Sequence, residues 1–219
     1  MTIDKLSSSN GGFTRVRKEW IEPILIAFIL AALIKMFLIQ PFKIPSSSME
    51  DTLLVGDQLI ALKFLYGTKL PFASRKILKI RDPRPGDVIV FRYPEDPSKD
   101  FIKRCVAIGG QTIEVRNKKV FVDNILQELP GHAKIIDPTT YPKHIGPRDN
   151  YPAFEVPMGH VFVMGDNRDN SNDSRYWGTV PVENIKGKAV MLYWSWNSDY
   201  KKYKLPHSVR WSRFLERIK

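Results

Sequence analysis

The chain combines one long apolar block with many short segments in which apolar and polar residues alternate. The block covers residues 24–34 without interruption and, after Lys35, continues through residues 36–39. A helix over residues 20–39 would be about 30 Å long, which matches the hydrocarbon thickness of a bilayer. Because the block has no polar stripe, a helix packed in a protein core is disfavoured. The pattern predicts a membrane-spanning anchor over residues 20–40.

A cleavable signal peptide is the alternative interpretation of this block. Such a peptide ends in a small-x-small site soon after its apolar segment, whereas residues 40–43 here read QPFK. Ser46-x-Ser48 offers a late cleavage site. We expect the anchor to remain uncleaved.

The charges around the block predict its orientation. Four basic residues precede it: Lys5, Arg15, Arg17 and Lys18. Few follow it directly, so the positive-inside rule places residues 1–19 in the cytoplasm as a tail. Residues 41–219 would then form an extracytoplasmic domain on the outer face of the cytoplasmic (inner) membrane, attached by a single span.

Beyond residue 43 the pattern changes to a period of two, which is typical of half-buried strands. Four segments show it most clearly: residues 87–92, 112–115, 119–122 and 160–164. The body is therefore predicted to be mainly β, folded as coiled antiparallel sheets or a partly closed barrel behind one N-terminal transmembrane helix. Around residues 124–157, Pro, Gly and polar residues dominate, and we expect a loop-rich insertion there.

Composition narrows the classes of partner and site. Among 219 residues, 34 Lys and Arg outnumber 23 Asp and Glu, which gives a net charge of +11. This charge favours an anionic partner, either nucleic acid or a membrane surface. No RNA-recognition or cold-shock aromatic pattern is visible, so membrane lipids are expected as a partner and nucleic acid is not. The single cysteine, Cys105, excludes an intramolecular disulfide and a cysteine-ligated zinc site.

Common nucleotide-binding and metal-binding motifs are missing, and the four histidines show no ligand spacing. Chemistry could instead come from the serine cluster at residues 46–48 and from Lys103, which lies among apolar residues. A serine becomes a nucleophile when a base takes its proton, and a lysine can be that base where burial keeps it neutral. The alternatives are an ordinary cap or turn for the serines and a solvent-facing position for the lysine.

A third segment, GDNRDNSNDSR at residues 165–175, is dense in turn formers and hydrogen-bonding groups. Together with PSSSM, TLLVGD, GDVIVF and FIKR, in this order behind the anchor, it closely resembles bacterial type I signal peptidases. The resemblance covers most of residues 20–178. It implies a membrane-bound serine endopeptidase that cleaves N-terminal signal peptides from exported preproteins after small residues. The family uses a Ser–Lys dyad and needs no metal or cofactor.

The resemblance also implies a role for each residue of the site. Ser48 matches the nucleophile and Lys103 its general base. The Ser46 hydroxyl matches the group that helps the Ser48 backbone N–H to stabilise the oxyanion, and Ser171 matches the serine that orients the lysine. The remaining matches are a supporting ion pair and a structural turn: Asp173, Arg175, Gly165, Asp166 and Asn167.

Substrates of this family carry small residues at the first and third positions before the cut. An extended peptide would present alternate side chains to two shallow pockets. The candidate pocket walls are the apolar residues that flank the serine and lysine motifs: Ile44, Met49, Leu53, Phe101 and Ile102. Core packing or membrane contact would explain the same residues equally well.

Three further features are specific to this chain. Glu50-Asp51 stands where a proline commonly precedes the Thr-Leu pair of the family, so we expect the turn after Ser48 to differ in detail. Period two places Cys105 on the same side of its strand as Lys103. Residues 209–219 carry apolar side chains at helical spacing among basic residues, which predicts an amphipathic segment on anionic lipid or a helix packed on the β body.

Two other protein classes share part of this pattern. Self-cleaving repressors resemble signal peptidases in dyad and β fold, but they normally carry a DNA-binding domain where this chain has its apolar block. A membrane-tethered basic protein that binds nucleic acid would need an aromatic recognition pattern. The combined motifs favour the peptidase.

Overall fold

The computed structural model describes residues 17–69, 76–197 and 208–218, and the chain divides into two compact units. The first unit ends at Ile39 and the second begins at Gln40. Most of the predicted cytoplasmic tail, residues 1–16, lies outside the described residues.

One helix makes up the described part of the N-terminal unit. A π-helical turn, Arg17–Ile21, leads into α1, Glu22–Phe37, whose first turn contains Pro23, where no backbone hydrogen bond is lost. The stretch Lys18–Phe37 has a mean hydropathy of 2.0 and no buried residue, so it is long and apolar enough to cross a membrane. The helix ends before residue 40 because Pro41 disfavours helical backbone at the residue before it.

Strands dominate the rest of the described chain. They are β1 (Ile39–Lys43), β2 (Asp57–Leu62), β3 (Tyr66–Lys69), β4 (Lys76–Lys79), β5 (Val88–Arg92), β6 (Asp100–Ile108), β7 (Thr112–Arg116), β8 (Lys119–Val122), β9 (Ile125–Leu126), β10 (Tyr151–Glu155), β11 (His160–Met164), β12 (Val180–Pro181) and β13 (Ile185–Ser195). Short helices are α2 (Ser174–Trp177) and two 3-10 turns, Val182–Asn184 and Trp211–Arg213.

The strands form three sheets. A seven-stranded sheet has the order β1-β2-β13-β5-β6-β11-β12, a four-stranded sheet the order β10-β7-β8-β9, and β3 pairs with β4. The sheets are antiparallel and do not close into a barrel. The prediction of a mainly β body is confirmed. Of the two predicted architectures, antiparallel sheets and a partly closed barrel, the sheets are correct.

The segments with the clearest alternation are strands β5, β7, β8 and β11, as predicted. In β5, however, four successive side chains are buried. Val88 and Val90 pack in one core with Ile102, whereas Ile89 and Phe91 pack in another on the opposite face. The neighbouring strand β6 lies between the same two cores, so a polar side chain on either of its faces is withdrawn from water.

The segment predicted as a loop-rich insertion carries β9 near its start and β10 near its end, with no strand between them. Hydrogen bonds connect this segment to the motif at residues 165–175. The backbone N–H groups of Ile136 and Asp137 donate to the Asp169 carboxylate at 2.6 and 2.8 Å, and a parallel bridge joins Lys134 to Asn167. The insertion is therefore fastened to the segment that carries most of the predicted supporting residues.

The C-terminal segment is not the helix that its spacing predicts. Its described part contains one 3-10 turn, and its backbone forms bridges from Arg217 to Met191 in β13 and from Val209 to Trp196 directly after β13. Leu215 has a φ of +59°, which ends helical geometry there. Arg213 also donates to the buried carboxylate of Asp57 at 2.9 Å. Backbone pairing and this ion pair outweigh the local helical preference.

Candidate active site

Two distant segments bring Ser48 and Lys103 together. Ser48 lies in the turn-rich connection between β1 and β2, and Lys103 lies in the middle of β6. The Lys103 Nζ atom is 2.5 Å from the Ser48 Oγ atom, which is hydrogen-bond distance. A base and a hydroxyl in direct contact are the minimum needed for an activated serine.

Lys103 is 4% exposed, because both faces of β6 are covered. Burial lowers its pKa from 10.5 to about 8. Asp173 and Asp166 oppose this shift, and Arg175 reinforces it. Within the described residues no carboxylate forms an ion pair with the amine, so a large fraction of it is neutral near pH 8.

Cys105 lies two residues further along β6, on the side that period two predicts. Its side chain is fully buried and packs with Ile89, Phe91 and Val163 in the core that covers that face. Burial raises the pKa of its thiol to about 12. Because the thiolate is the reactive form of cysteine, Cys105 is a core residue rather than a second nucleophile.

Backbone hydrogen bonds hold the connection that carries Ser48. Its carbonyl accepts from the Asn167 backbone N–H at 3.1 Å, and the Asn167 side chain donates to the Ser47 carbonyl at 3.3 Å. Three residues after Ser48, within the same connection, Asp51 has a φ of +76°. A proline cannot adopt that angle, so the departure from the family pattern at Glu50-Asp51 corresponds to a different turn.

The Ser46 hydroxyl lies 3.4 Å from the Ser48 Oγ atom, and Ser46 is exposed. Its position next to the nucleophile suits a donor for negative charge that develops on a bound carbonyl oxygen. The Ser48 backbone N–H is the other predicted donor.

Asp166 binds two parts of the site to each other. Its carboxylate accepts from Arg104 Nε at 2.8 Å, from Arg104 Nη2 at 2.6 Å and from Thr52 Oγ1 at 2.6 Å. Arg104 follows Lys103 in β6, and Thr52 follows Ser48 by four residues. Sequence reasoning placed Asp166 only in a structural turn. Arg104 was missed, although period two puts it on the buried face opposite Lys103, where a cation needs a carboxylate.

The predicted ion pair is formed between Asp173 and Arg175, with the Nε atom 2.9 Å from the carboxylate. Asp173 also caps α2 and accepts from the Gly165 backbone N–H at 3.0 Å. Gly165 itself has no space for a side chain. A Cβ there would lie 2.2 Å from the Ser171 Oγ atom and 2.4 Å from the Ser48 carbonyl oxygen.

Ser171 is buried beside the Asp173 carboxylate, but its hydroxyl has no hydrogen-bond partner of normal geometry among the described residues. The predicted hydrogen bond to Lys103 is therefore not formed in this structure. The Asn167 Oδ1 atom is also buried without a donor. Two polar atoms of this motif thus remain open to a further partner.

A cleft of about 330 Å³ lies beside the dyad. Besides Lys103, it is lined by residues of the serine turn, of β6 and of the 165–175 motif: Pro45, Ser46, Ser47, Ser48, Asp100, Phe101, Ile102, Asn170 and Asn172. Sequence reasoning missed the two asparagines and Asp100, because nothing in their spacing sets them apart from loop residues.

Of the five predicted pocket residues, Phe101 and Ile102 line this cleft. Ile44 lines a different cavity of about 630 Å³. Met49 and Leu53 are fully buried in a core and line neither cavity. For these two residues the structure favours the core-packing alternative, because each is fully enclosed by its neighbours.

The described residues contain no cluster of three or more His, Cys, Asp or Glu side chains that could hold a metal ion. The groups that meet at the site are instead a hydroxyl, an amine and two arginine–aspartate pairs.

The chain is similar to several known proteins. The family model described as "Signal peptidase, peptidase S26" matches residues 17–194. Signal peptidase I of Pseudomonas fluorescens is 37% identical over 232 residues, which cover 88% of this chain and 79% of the relative. Probable signal peptidase I-1 of Synechocystis is 41% identical over 184 residues, which cover 80% and 82%. A crystal structure of a signal peptidase I from Enterococcus faecalis V583 aligns with a TM-score of 0.40 and 25% identity, covering 50% of this chain and 98% of that one.

Proposed function

The chain belongs to the peptidase S26 family and is a signal peptidase I, a serine peptidase that cleaves signal peptides, and we propose that Ser48 and Lys103 are its catalytic dyad. The observation that carries this proposal is the 2.5 Å contact between a nucleophile candidate and an amine withdrawn from water. A serine peptidase needs a nucleophile in contact with a base, and this pair supplies both. His160 supports no alternative, because its ring contacts Thr179 at 2.9 Å and it does not line the cleft beside Ser48.

In the proposed reaction, neutral Lys103 takes the proton of Ser48 as the Oγ atom attacks the scissile carbonyl carbon. The resulting ammonium then donates a proton to the leaving amine, and the C–N bond breaks to leave an acyl-enzyme. Lys103, neutral again, takes a proton from the water that attacks this ester, and Ser48 is restored. Protons balance over the cycle, and no further reactant besides water is consumed.

The developing oxyanion would be stabilised by the Ser48 backbone N–H and the Ser46 hydroxyl. Fixed donors at such a position typically contribute about 3 kcal/mol each to the transition state. The 3.4 Å between the two hydroxyl oxygens supports this role, since both groups face one region of space.

Two arginine–aspartate pairs keep the lysine without an ionic partner. Within each pair, the arginine neutralises the charge of its aspartate. Asp166 is engaged by Arg104, and Asp173 by Arg175. Neither carboxylate is left free to hold the amine in its charged form. We assign Ser171 to orienting Lys103, because its buried hydroxyl has no hydrogen-bond partner of normal geometry among the described residues.

The substrate would bind as an extended peptide along the cleft beside the dyad. Phe101 and Ile102 form its apolar wall, against which the small side chains before the cut would pack. We further propose that α1 anchors the enzyme in the cytoplasmic (inner) membrane, with the N-terminus in the cytoplasm and the catalytic unit on the outer face. Its partners would be exported preproteins and membrane lipids, without nucleic acid.

The test is cleavage of a purified preprotein by the full chain in detergent, with the cut located by mass spectrometry. We expect Ser48→Ala and Lys103→Ala each to abolish processing while the protein still folds. Ser98→Ala and Lys99→Ala are matched controls, because both residues are exposed in the turn between β5 and β6. Normal processing by either dyad variant would refute the proposal.

A further inference from the structure

A second cavity, of about 260 Å³, shares no lining residue with the cleft beside Ser48. It lies where β6, β8 and the start of the insertion meet, and Arg168 lines it together with Arg104, Val120 and Glu128. A water molecule in the liquid takes about 30 Å³, so the cavity has space for an ion with several oxygen atoms.

Arg168 is the unusual residue in this cavity. It is only 6% exposed, and its Nε atom is buried without a hydrogen-bond partner. No described residue accepts a hydrogen bond from its guanidinium or forms an ion pair with it. The other two buried arginines of this region, Arg104 and Arg175, each have an aspartate. A buried charge without a partner is costly, so Arg168 requires an acceptor that the described protein groups do not provide.

The surroundings leave this charge uncompensated. Burial lowers the pKa of Arg168 to about 10, and Asp166 and Asp173 oppose the shift, so the guanidinium remains protonated at neutral pH. Both carboxylates are engaged by their own arginines. Glu128 also lines the cavity, but its side chain is exposed and it makes no ion pair with Arg168.

We propose that this cavity is a binding site for a small oxyanion of the phosphate or sulfate type, with the guanidinium of Arg168 as its main ligand. The planar fork of an arginine matches two oxygens of such an ion. The free ion and a lipid phosphate share this chemistry. The exposed Glu128 carboxylate at the same cavity would repel the ion and lower its affinity.

Binding there would also act on the catalytic unit. The Arg168 backbone N–H donates to the Lys134 carbonyl at 3.0 Å, and the preceding residue, Asn167, donates to the Ser48 carbonyl. An ion held by Arg168 would therefore stabilise the segment that supports the serine turn. This inference does not depend on the proposed dyad, because its readout is the melting temperature rather than cleavage.

The experiment is thermal unfolding of the full chain in detergent, titrated with potassium phosphate against potassium chloride at equal ionic strength. We expect phosphate to raise the melting temperature by several degrees in a saturable way. Arg168→Gln should remove this response, whereas Arg116→Gln, at an exposed arginine of β7, should keep it. Glu128→Gln should lower the half-saturating phosphate concentration severalfold. A wild-type response equal to that in chloride, or an unchanged response in Arg168→Gln, would overturn the proposal.

If Arg168→Gln does not fold, the phosphorus NMR line of inorganic phosphate gives a second measurement. The wild type should broaden it, sulfate should reverse the broadening, and Glu128→Gln should increase it at equal phosphate. The absence of broadening by both proteins would contradict the site. Nanodiscs of phosphatidylglycerol, compared with phosphatidylcholine, identify the source: loss of the response to free phosphate only in phosphatidylglycerol indicates that a lipid phosphate fills the cavity.

Discussion

The two faces of β6 hold neighbouring cations in opposite circumstances. Lys103 and Arg104 are 4% and 5% exposed, so burial hardly distinguishes them. Arg104 is bound through two nitrogen atoms to the carboxylate of Asp166. Lys103 contacts the Ser48 hydroxyl and has no carboxylate partner among the described residues.

The difference shows how one strand can serve both stability and chemistry. A buried cation with a carboxylate stays charged and ties segments together, whereas a buried amine without one loses its proton more readily. Arginine suits the first position because it stays protonated in proteins, and lysine suits the second because its pKa shifts readily. Substitutions on the Lys103 face should therefore lower activity, whereas substitutions on the Arg104 face should lower stability.

The largest effect is expected for Lys103→Arg. This change keeps the positive charge but removes the base, because a guanidinium does not deprotonate at working pH. We expect kcat/KM for preprotein cleavage to fall by about 10³-fold or more. Arg104→Lys, on the other face, is the matched comparison and should retain most of the activity. Equal losses in both variants would remove the distinction between the faces.

The next effect concerns stability. Asp166→Ala would leave Arg104 buried without its carboxylate, which typically costs about 3–5 kcal/mol. Urea unfolding followed by tryptophan fluorescence measures this loss. The double variant Arg104→Met with Asp166→Leu should recover a large part of the unfolding free energy, because both charges are then absent. A double variant as unstable as the single one would show that the pair is not the cause.

Removing the Ser46 hydroxyl tests the proposed oxyanion donor in the cleft rather than the cations of β6. Ser46→Ala should lower kcat by about 10²-fold, because one oxyanion donor is lost. Its stability should stay within about 0.5 kcal/mol of the wild type, since the residue is exposed. Ser98→Ala provides the matched control at another exposed serine. An unchanged kcat would exclude the oxyanion role.

The smallest effect is expected at the C-terminal segment, where an arginine–aspartate pair lies outside the site. Arg213 donates to Asp57 and to the Thr52 carbonyl, both at 2.9 Å. Arg210 lies 3.7 Å from the same carboxylate, so Arg213→Ala leaves it one cation. We expect a loss of about 1–2 kcal/mol in urea unfolding. If the free energy of unfolding fell as much as in Asp166→Ala, the greater exposure of Arg213 would not reduce the contribution of its ion pair to stability.

The alternation of apolar and polar residues was sufficient to predict a strand when the pairing of that strand is regular. Strands β5, β7, β8 and β11 could be predicted because apolar residues alternate along them. The long strand β13 escaped prediction because its pairing with β2 shifts register at two places, which interrupts the period of two.

Predicting the site required information other than local pattern. Ser48 and Lys103 lie 55 residues apart, and no spacing rule brings such residues together. Residue chemistry suggested a serine–lysine pair, and the family resemblance assigned it to Ser48 and Lys103. Met49 and Leu53 could not be separated from cleft walls, because an apolar side chain beside a motif suits a core and a pocket equally. Arg168 carried no signal at all, since its need for a partner exists only once the fold has buried it.

The central claim is that Lys103 acts as a neutral base, and the pH dependence of kcat/KM tests it most directly. Since burial lowers the pKa of Lys103 to about 8, the amine is mostly protonated below that pH and cannot accept the Ser48 proton. We predict that kcat/KM rises about tenfold per pH unit up to about pH 8 and is level above it. A rate that is already level from pH 5 to pH 9 would contradict the account.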